Sequence, residues 1–411
     1  MIAGTGAPDS QPRLDADVPL RWRMLALLAC AQLLGMSLWF AGSAAAPMLR
    51  EQWNLSDPQV AWLTTAVQLG FVTGTALSAL LNLADIVAAR KFFAVCAVLG
   101  ALANTGLVFS PSLAPAIVSR FLAGAFLAGV YPPAMKMAAT WFRERRGLAV
   151  GTVVGALTIG KAVPYLINAV PGANVLLITA LSSGSAVAAA AIVLAAYRDG
   201  PFAFPSRPFS WTRVGDVITS RPWRLATGGY LGHMMELYSY WTWIPAFLAA
   251  SAIADPHALT APASAAVSIV AFAVIAVGGI GCVWGGIVAD RIGRAALVVR
   301  ALGASGLCCA GIGLLFGQPL WILAPVALVW GFFIIADSAQ FSVMVAESVP
   351  AHAVGTAITL QVSLGFLLTT LTIQVVPHVV RALGWPWVFA MLAAGPVFGI
   401  ITVRRLRHST G

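Results

Sequence analysis

The feature that most constrains this chain is a succession of long apolar segments separated by short charged loops. Of its 411 residues, 60% are hydrophobic and 9% are charged, whereas soluble globular domains carry roughly 25% charged residues. An apolar segment of about 20 residues is long enough to cross a bilayer as an α-helix, and the apolar content is enough for about twelve of them. We therefore predict an all-α integral membrane protein with twelve transmembrane helices.

Charged and proline-containing loops set the limits of the predicted spans. We place the twelve spans at residues 24–49, 59–83, 92–110, 112–142, 147–168, 175–197, 225–250, 263–288, 295–316, 320–349, 355–376 and 387–403.

The positive charges indicate which loops face the cytoplasm. Most of the 24 lysines and arginines lie in loops on one predicted side, with Arg50 and Arg381 on the other. Because cytoplasmic loops are enriched in lysine and arginine, we predict that both termini lie in the cytoplasm of a bacterial-type inner membrane. The net charge of +10 then belongs to these loops and does not indicate a nucleic-acid partner. The first 20 residues lack the pattern of a cleaved signal peptide.

Residues 198–224 interrupt the span pattern, because four prolines and five arginines lie within them. We interpret this segment as a cytoplasmic linker, with a surface helix over residues 212–219, between two six-helix bundles. The predicted divisions are a tail at 1–23, bundles at 24–197 and 225–403, the linker at 198–224 and a tail at 404–411.

Enzyme chemistry finds no support in the sequence. The five cysteines lie inside apolar runs, and their spacing predicts neither disulfides nor a metal site. No nucleophile elbow, phosphate-binding loop or metal-binding HExxH pattern is present. We expect no catalytic residues, no metal and no cofactor.

One charged loop, between the eighth and ninth predicted spans, carries the most specific motif. It reads Gly-Ile-Val-Ala-Asp-Arg-Ile-Gly-Arg from Gly286 to Arg294, with Asp290, Arg291 and Gly293 inside it. This run resembles the loop signature of the major facilitator superfamily of secondary transporters. A partial copy lies about 205 residues earlier, over residues 81–91, where Asp85 is kept and the positive charge falls on Arg90.

This resemblance implies two six-helix pseudo-repeats that rock about a central site, with the Asp290 loop as a latch on helix ends. A second repeat supports it, because Gly147 opens the fifth predicted span as Gly355 opens the eleventh. Arg120 and Gly124 resemble the fourth-span motif of the same superfamily. The run over residues 129–136, before Trp141, is similar to permeases of the nitrate, nitrite and cyanate type.

Charged residues inside the predicted spans are the best candidates for function, because each costs roughly 2.5–3.5 kcal/mol to insert. The first half holds three positive residues, namely Arg120, Lys136 and Lys161. The second half holds three acids, namely Glu236, Asp337 and Glu347. Lys136 and Glu347 lie near span ends, where a charge reaches water more easily, and we interpret Glu347 as part of a cytoplasmic gate or as a loop contact.

We expect Arg120 and Lys161 to bind an anionic substrate. Gln32, Trp39, Tyr165, Tyr240 and Gln361 are expected to line the cavity around it. Glu236 is the first candidate for carrying a coupled proton, with Asp337 second, and His233 is included in the same proton-coupling group. His233, Glu236 and Tyr240 are spaced by three and four residues, which places them on one face of the seventh helix.

The function predicted from these residues is proton-coupled movement of a small anion by a monomeric transporter in the lipid bilayer. Two alternatives remain open from the sequence. The second-half acids could recognise a cationic or zwitterionic substrate, including an exported drug, with the positive residues as their ion-pair partners. The chain could also be a non-transporting assembly factor or sensor built on a transporter fold.

Overall fold

The computed structural model of the chain describes residues 18–142, 146–202, 209–255 and 264–410. Within these ranges the chain forms helices joined by short turns and contains no β-strand. A helix satisfies its own backbone hydrogen-bonding groups, which is the condition for crossing lipid. The sequence prediction of an all-α architecture agrees with this.

The first half, which we define as the described residues up to 202, contains ten α-helices. They are α1 Val18–Met36, α2 Ala41–Ala44, α3 Ala46–Trp53, α4 Asp57–Leu80, α5 Leu83–Ile86, α6 Ala89–Thr105, α7 Leu113–Leu127, α8 Tyr131–Ala139, α9 Arg146–Asn168 and α10 Val175–Ala196.

The second half, from residue 209 onward, contains nine α-helices in its described ranges. They are α11 Val214–Thr219, α12 Arg221–Ala254, α13 Ser264–Ile292, α14 Arg294–Gly311, α15 Leu320–Ala336, α16 Ser338–Glu347, α17 Val354–Leu383, α18 Trp385–Val388 and α19 Ala394–Thr410. Short 3-10 turns lie at Trp211–Arg213, Ile312–Leu315, Ala351–Ala353 and Ala390–Ala393.

Nine helical segments in the described ranges are long and apolar enough to cross a membrane. They are Asp57–Leu80, Leu113–Ala139, Gly147–Asn168, Val175–Ala196, Ala265–Ile292, Arg294–Leu315, Leu320–Glu347, Ala351–Leu383 and Trp385–Arg407. The helices α1, α6 and α12 lie in the first, third and seventh predicted spans and are not among these nine segments. The exact number of twelve spans therefore stays a prediction.

Three predicted spans differ from the sequence prediction because their helices are interrupted. The first span ends as a helix at Met36 and continues through a turn into α2 and α3. The fourth span breaks at residues 128–130, just before Pro132 and Pro133 start α8. A proline lacks the backbone N–H that would continue the preceding helix, which explains this second break. The tenth span breaks at Asp337, between α15 and α16.

The end of the predicted linker is also different, because α12 already begins at Arg221. The Ser220 side chain caps this helix by accepting a hydrogen bond from the Trp223 N–H. Pro222 lies in the first helical turn, where a missing N–H costs nothing. The predicted surface helix is seen as the short turn Trp211–Arg213 followed by α11.

The motif loop forms the tight reversal that its glycines predict. Gly293 is the single residue between α13 and α14, with a φ of 86°, a conformation that glycine adopts without steric cost. Arg294 Nη1 lies 3.5 Å from a carboxylate oxygen of Glu347, so Glu347 makes a loop contact. In the partial copy, the side chain of Asp85 lies outside the described residues.

A glycine seam joins the two halves along α9 and α13. A Cβ atom added to Gly155 would lie 2.6 Å from the carbonyl oxygen of Gly279, and one added to Gly151 would lie 2.9 Å from that of Cys282. Because these positions lack side chains, the two helix backbones come into direct contact. The seam leads from the motif loop toward Lys161, which places this lysine at the boundary between the halves.

Candidate functional site

Lys161 lies at the boundary between the halves and is enclosed by aromatic side chains. Its side chain is almost fully buried, and its ammonium donates a 2.6 Å hydrogen bond to the hydroxyl of Tyr238 from the second half. The ammonium lies 3.8 Å from the ring centre of Trp39, 4.7 Å from that of Tyr238 and 4.9 Å from that of Trp241. We call these four residues the lysine box.

The lysine box supplies hydrogen-bond donors without an acidic partner. Among the described residues, no carboxylate lies within 4.0 Å of the Lys161 ammonium. The indole N–H groups of Trp39 and Trp241 are buried and have no hydrogen-bond partner in the same part of the chain. Aromatic faces attract a cation, but they do not neutralise it. The box is therefore chemically suited to receive an anion.

Local sequence explains how Lys161 meets Trp39. The preceding residue, Gly160, packs its Cα against the carbonyl of Leu33, with no room for a side chain. This close approach of α9 to α1 brings the turn that follows Met36 next to Lys161. Phe71 and Phe366 then pack on Trp39, with ring centres 5.1 and 5.9 Å away.

A cavity of about 910 Å³ lies between the halves at their predicted outer end. Tyr165 and Thr242 line it, and each lies one helical turn beyond a residue of the lysine box, Lys161 and Tyr238 respectively. The box lies one helical turn deeper than these lining residues and is buried. Arg50 and Asp57 also line the cavity and form an exposed ion pair of 2.6 Å.

Arg120 is directed at the protein backbone. Its guanidinium donates hydrogen bonds of 2.8 and 2.7 Å to the carbonyls of Leu38 and Trp39, and one of 2.5 Å to the amide oxygen of Asn104. These carbonyls belong to the turn that interrupts the first span, where helical partners are missing. The arrangement gives Arg120 a positioning role for Trp39, and its predicted contact with substrate stays untested.

Glu236 is fully buried within the second half. One carboxylate oxygen accepts a 2.6 Å hydrogen bond from the indole N–H of Trp330, and the other accepts one of 3.0 Å from Ser305. Both donors are neutral, so within the described residues this acid has no cation in contact. Glu236 thus faces α14 and α15 and does not face the cavity.

His233 and Asp337 form a second buried polar pair, with 3.0 Å between Nδ1 and Oδ1. The two atoms are at ion-pair distance, but their geometry is not that of a hydrogen bond, and both remain without a hydrogen-bond partner among the described residues. Asp337 occupies the break between α15 and α16. A change in the charge of this pair would therefore act directly on a helix junction.

The structure places the remaining predicted lining residues differently from one another. Gln32 is buried, and neither its amide nitrogen nor its amide oxygen has a hydrogen-bond partner among the described residues. The amide nitrogen of Gln361 donates a hydrogen bond of 3.4 Å to the carbonyl of Phe341. The hydroxyl of Tyr240 donates a hydrogen bond of 2.8 Å to the carbonyl of Ala327 in α15, so this hydroxyl has its partner inside the second half. His233, Glu236 and Tyr240 contact α15 or its end, as expected for residues on one helical face.

Sequence reasoning missed Tyr238 and Trp241, although a signal for them exists. Trp241, Thr242 and Pro245 follow Tyr238 by three, four and seven residues. This spacing defines a second polar and aromatic face of the seventh helix, opposite to the face of Glu236. Gln68 was also missed, and its amide is buried and unpartnered within the described residues.

At the predicted cytoplasmic end, the motif residue Asp290 approaches the first half. Its carboxylate oxygens lie 3.3 and 3.4 Å from the point where a Cβ of Gly147 would stand. Gly147 is in the first turn of α9, where the helix dipole favours negative charge. Arg291 and Arg90 are exposed.

Comparisons with known proteins address the family and the fold. The family profile described as Major Facilitator Superfamily matches residues 27–373. A 150-residue segment, 36% of this chain, is 29% identical to a galacturonate transporter of Dickeya chrysanthemi, of which it covers 43%. A 145-residue segment, 35% of the chain, is 28% identical to the hexuronate transporter of Escherichia coli K12, of which it covers 33%.

Among solved structures, the chain is similar to the nucleoside transporter NupG, crystallised as a mutant. The TM-score is 0.69 at 15% sequence identity, and the match covers 93% of this chain and 99% of the other. At this identity the likeness concerns the fold.

Proposed function

Because the chain belongs to the major facilitator superfamily, we propose that it is a secondary transporter that moves a small carboxylate-bearing solute by alternating access. In this fold, substrate binds near the bilayer midplane between the two halves. The lysine box occupies the boundary between the halves, one helical turn from residues that line an open cavity. The substrate carboxylate would bind there, beside the Lys161 ammonium.

The observation that carries this proposal is the absence of an acid beside Lys161 in the described part of the chain. A buried cation without a counter-ion is costly, and a bound anion removes that cost. The indole N–H groups of Trp39 and Trp241 add two donors that a carboxylate can accept. The aromatic faces of the box already surround the Lys161 ammonium, whose charge would repel a cationic substrate.

The named relatives support a sugar acid as the substrate class. Galacturonate and other hexuronates combine one carboxylate with several hydroxyl groups on a ring. Aromatic side chains bind the apolar faces of such rings, while buried amides such as those of Gln32 and Gln68 can hydrogen-bond hydroxyl groups. The matched segments cover less than half of each relative, so this assignment is part of our proposal.

Proton coupling is assigned to the second half. Glu236 and Asp337 are buried carboxyl groups that contact no lysine or arginine within the described residues. Buried ionisable groups of this kind mark proton relays in membrane proteins. Asp337 lies beside His233 at the junction of α15 and α16. Glu236 remains our first candidate for the coupled proton.

The alternatives left open by the sequence receive less support. Recognition of a cation would require an acid in the lysine box, whereas Glu236 contacts Trp330 and Asp337 lies beside His233 inside the second half. No observation favours a non-transporting assembly factor. Inner-membrane location, cytoplasmic termini and a monomeric state stay predictions.

The test is uptake of labelled D-galacturonate into proteoliposomes that contain the purified protein, with D-galactose as the neutral control. We expect saturable uptake of galacturonate, little uptake of galactose, and loss of galacturonate binding in Lys161→Gln. Lys161→Arg keeps the charge and should retain part of the binding. Equal galacturonate binding by wild type and Lys161→Gln would contradict the proposal.

A further inference from the structure

We propose that Tyr238 is a specificity latch, which holds Lys161 in the empty transporter and yields it only to an anionic substrate. This inference rests on the proposed function of the lysine box. It assigns to Tyr238 a role distinct from binding, because its hydroxyl occupies the position that the substrate carboxylate takes. The latch also joins the two halves, since Lys161 is in α9 and Tyr238 is in α12.

The contacts of the Lys161 ammonium support this competition. Tyr238 accepts its hydrogen bond at 2.6 Å, while the rings of Trp39 and Trp241 cover other sides of the ammonium. The open cavity is lined by Tyr165 and Thr242, one turn beyond Lys161 and Tyr238. An anion that moves one turn deeper than these lining residues reaches the ammonium beside the Tyr238 hydroxyl and replaces it there.

Charge decides which solutes can open the latch. A carboxylate carries a full negative charge, so it adds a Coulomb attraction to the ammonium that a neutral hydroxyl lacks, and this attraction is strong away from water. A carboxylate therefore displaces the tyrosine hydroxyl from the ammonium, whereas a sugar hydroxyl offers no advantage over it. A neutral sugar can enter the cavity without releasing Tyr238, so selection for the anion occurs at this single contact.

The latch predicts how the loaded and empty transporters differ in their motion. When the substrate replaces Tyr238, the hydrogen bond between the halves is lost and the halves can rock. In the empty protein this bond is intact, and it opposes the return step. A ligand shifts a conformational equilibrium only through such differential contacts. Exchange of substrate across the membrane should therefore be faster than net uptake.

The experiment compares Tyr238→Phe with wild type. This variant keeps the ring that faces Lys161 and removes the hydroxyl, and Tyr197→Phe is the matched control because its hydroxyl bonds the carbonyl of Met137 outside the box. Galacturonate binding is measured by isothermal titration calorimetry on detergent-purified protein. Exchange and net uptake of labelled galacturonate are measured in proteoliposomes.

In wild type we expect exchange to exceed net uptake. In Tyr238→Phe we expect galacturonate to bind about tenfold more tightly, the equivalent of one hydrogen bond to a charged group, and the ratio of exchange to net uptake to fall toward one. Tyr197→Phe should match wild type in both measurements. Unchanged or weaker binding by Tyr238→Phe would overturn the latch.

Two further results separate the latch from the proposed function. If Lys161→Gln loses galacturonate binding while Tyr238→Phe binds as wild type does, the lysine box stands and the latch is overturned. If Lys161→Gln binds as wild type does, both are overturned. Should Tyr238→Phe fail to fold, wild type alone still decides, because net uptake as fast as exchange contradicts a latched empty transporter.

Discussion

The two halves of the molecule bury charges of opposite sign and satisfy them in different ways. In the first half, Arg120 is bonded to three oxygens of its own half, and Lys161 lies among aromatic rings. In the second half, Glu236 accepts hydrogen bonds from two neutral donors, and Asp337 lies beside His233. Within the described ranges, none of these four charged side chains forms an ion pair with the opposite half.

The role of a buried charge is indicated by its partner more than by the sign of the charge. The partners of Arg120 are fixed backbone and amide oxygens, which hold one conformation. The partner of Lys161 is a tyrosine hydroxyl on the opposite half, which a stronger acceptor can replace. Two cations of the same half thus divide into one held by fixed oxygens and one held by a single hydroxyl, as our proposal of substrate binding at Lys161 requires.

The stabilities of Arg120 and Lys161 variants test the distinction between these two cations, and the change at Arg120 should be the larger one. Arg120→Ala removes the donors of three buried oxygens, each costing about 1–3 kcal/mol when left unpaired, so we expect a loss of roughly 3–5 kcal/mol in apparent unfolding free energy. Lys161→Met removes a buried charge without an acidic partner and should change stability by less than about 1 kcal/mol. Thermal unfolding in detergent measures both. Equal losses would remove the distinction between the two cations.

A second test addresses the buried pair of the second half. His233→Leu leaves Asp337 without its nearest partner, and we expect it to destabilise the protein by about 2–3 kcal/mol. The double variant His233→Leu/Asp337→Leu should recover much of this loss, because replacing both polar partners is often nearly neutral. The same thermal unfolding measurement applies. If the double variant is no more stable than the single one, the contact is not a coupled pair.

The third prediction concerns proton coupling by Glu236. In Glu236→Gln the amide oxygen can still accept from Trp330, so folding should be preserved. A pH difference of one unit can drive about a tenfold accumulation of galacturonate when one proton is coupled. We expect Glu236→Gln to lose this accumulation. Galacturonate exchange without a gradient should persist. Asp337→Asn is the comparison variant. If accumulation is lost only in Asp337→Asn, the role of carrying the coupled proton belongs to Asp337.

The smallest effect is expected for an acid of the second half at the surface. Glu347 lies 3.5 Å from Arg294, and both side chains are well exposed. Exposed ion pairs contribute roughly 0–1 kcal/mol. We expect Glu347→Gln to shift the unfolding temperature and galacturonate transport little. A loss comparable to that of His233→Leu would show that this pair, too, holds the fold.

Part of this organisation could be predicted from the sequence. Apolar length locates the membrane helices, and Gly293 between charged residues marks the reversal between α13 and α14, because both signals are local. Charges inside apolar runs identify Lys161 and Glu236 as unusual. Their partners could not be predicted, since Tyr238 lies 77 residues from Lys161 and Trp330 lies 94 from Glu236.

Contacts between residues distant in sequence also explain errors in the predicted spans. The break after Met36 depends on Arg120, which supplies hydrogen bonds to carbonyls that a continuous helix would satisfy itself. Apolarity across residues 24–49 gave no local sign of it. The prolines after Val130 did offer a local signal, but apolar length outweighed it.

The glycine seam between α9 and α13 has a consequence for the speed of the transport cycle. Where two helices touch through backbone, their separation requires no side chain to change rotamer and uncovers little apolar area. The barrier to parting the seam should therefore be low, with little internal friction. A bulky side chain at Gly155 would replace this smooth contact with interlocking side chains, and turnover would slow even though the lysine box remained intact.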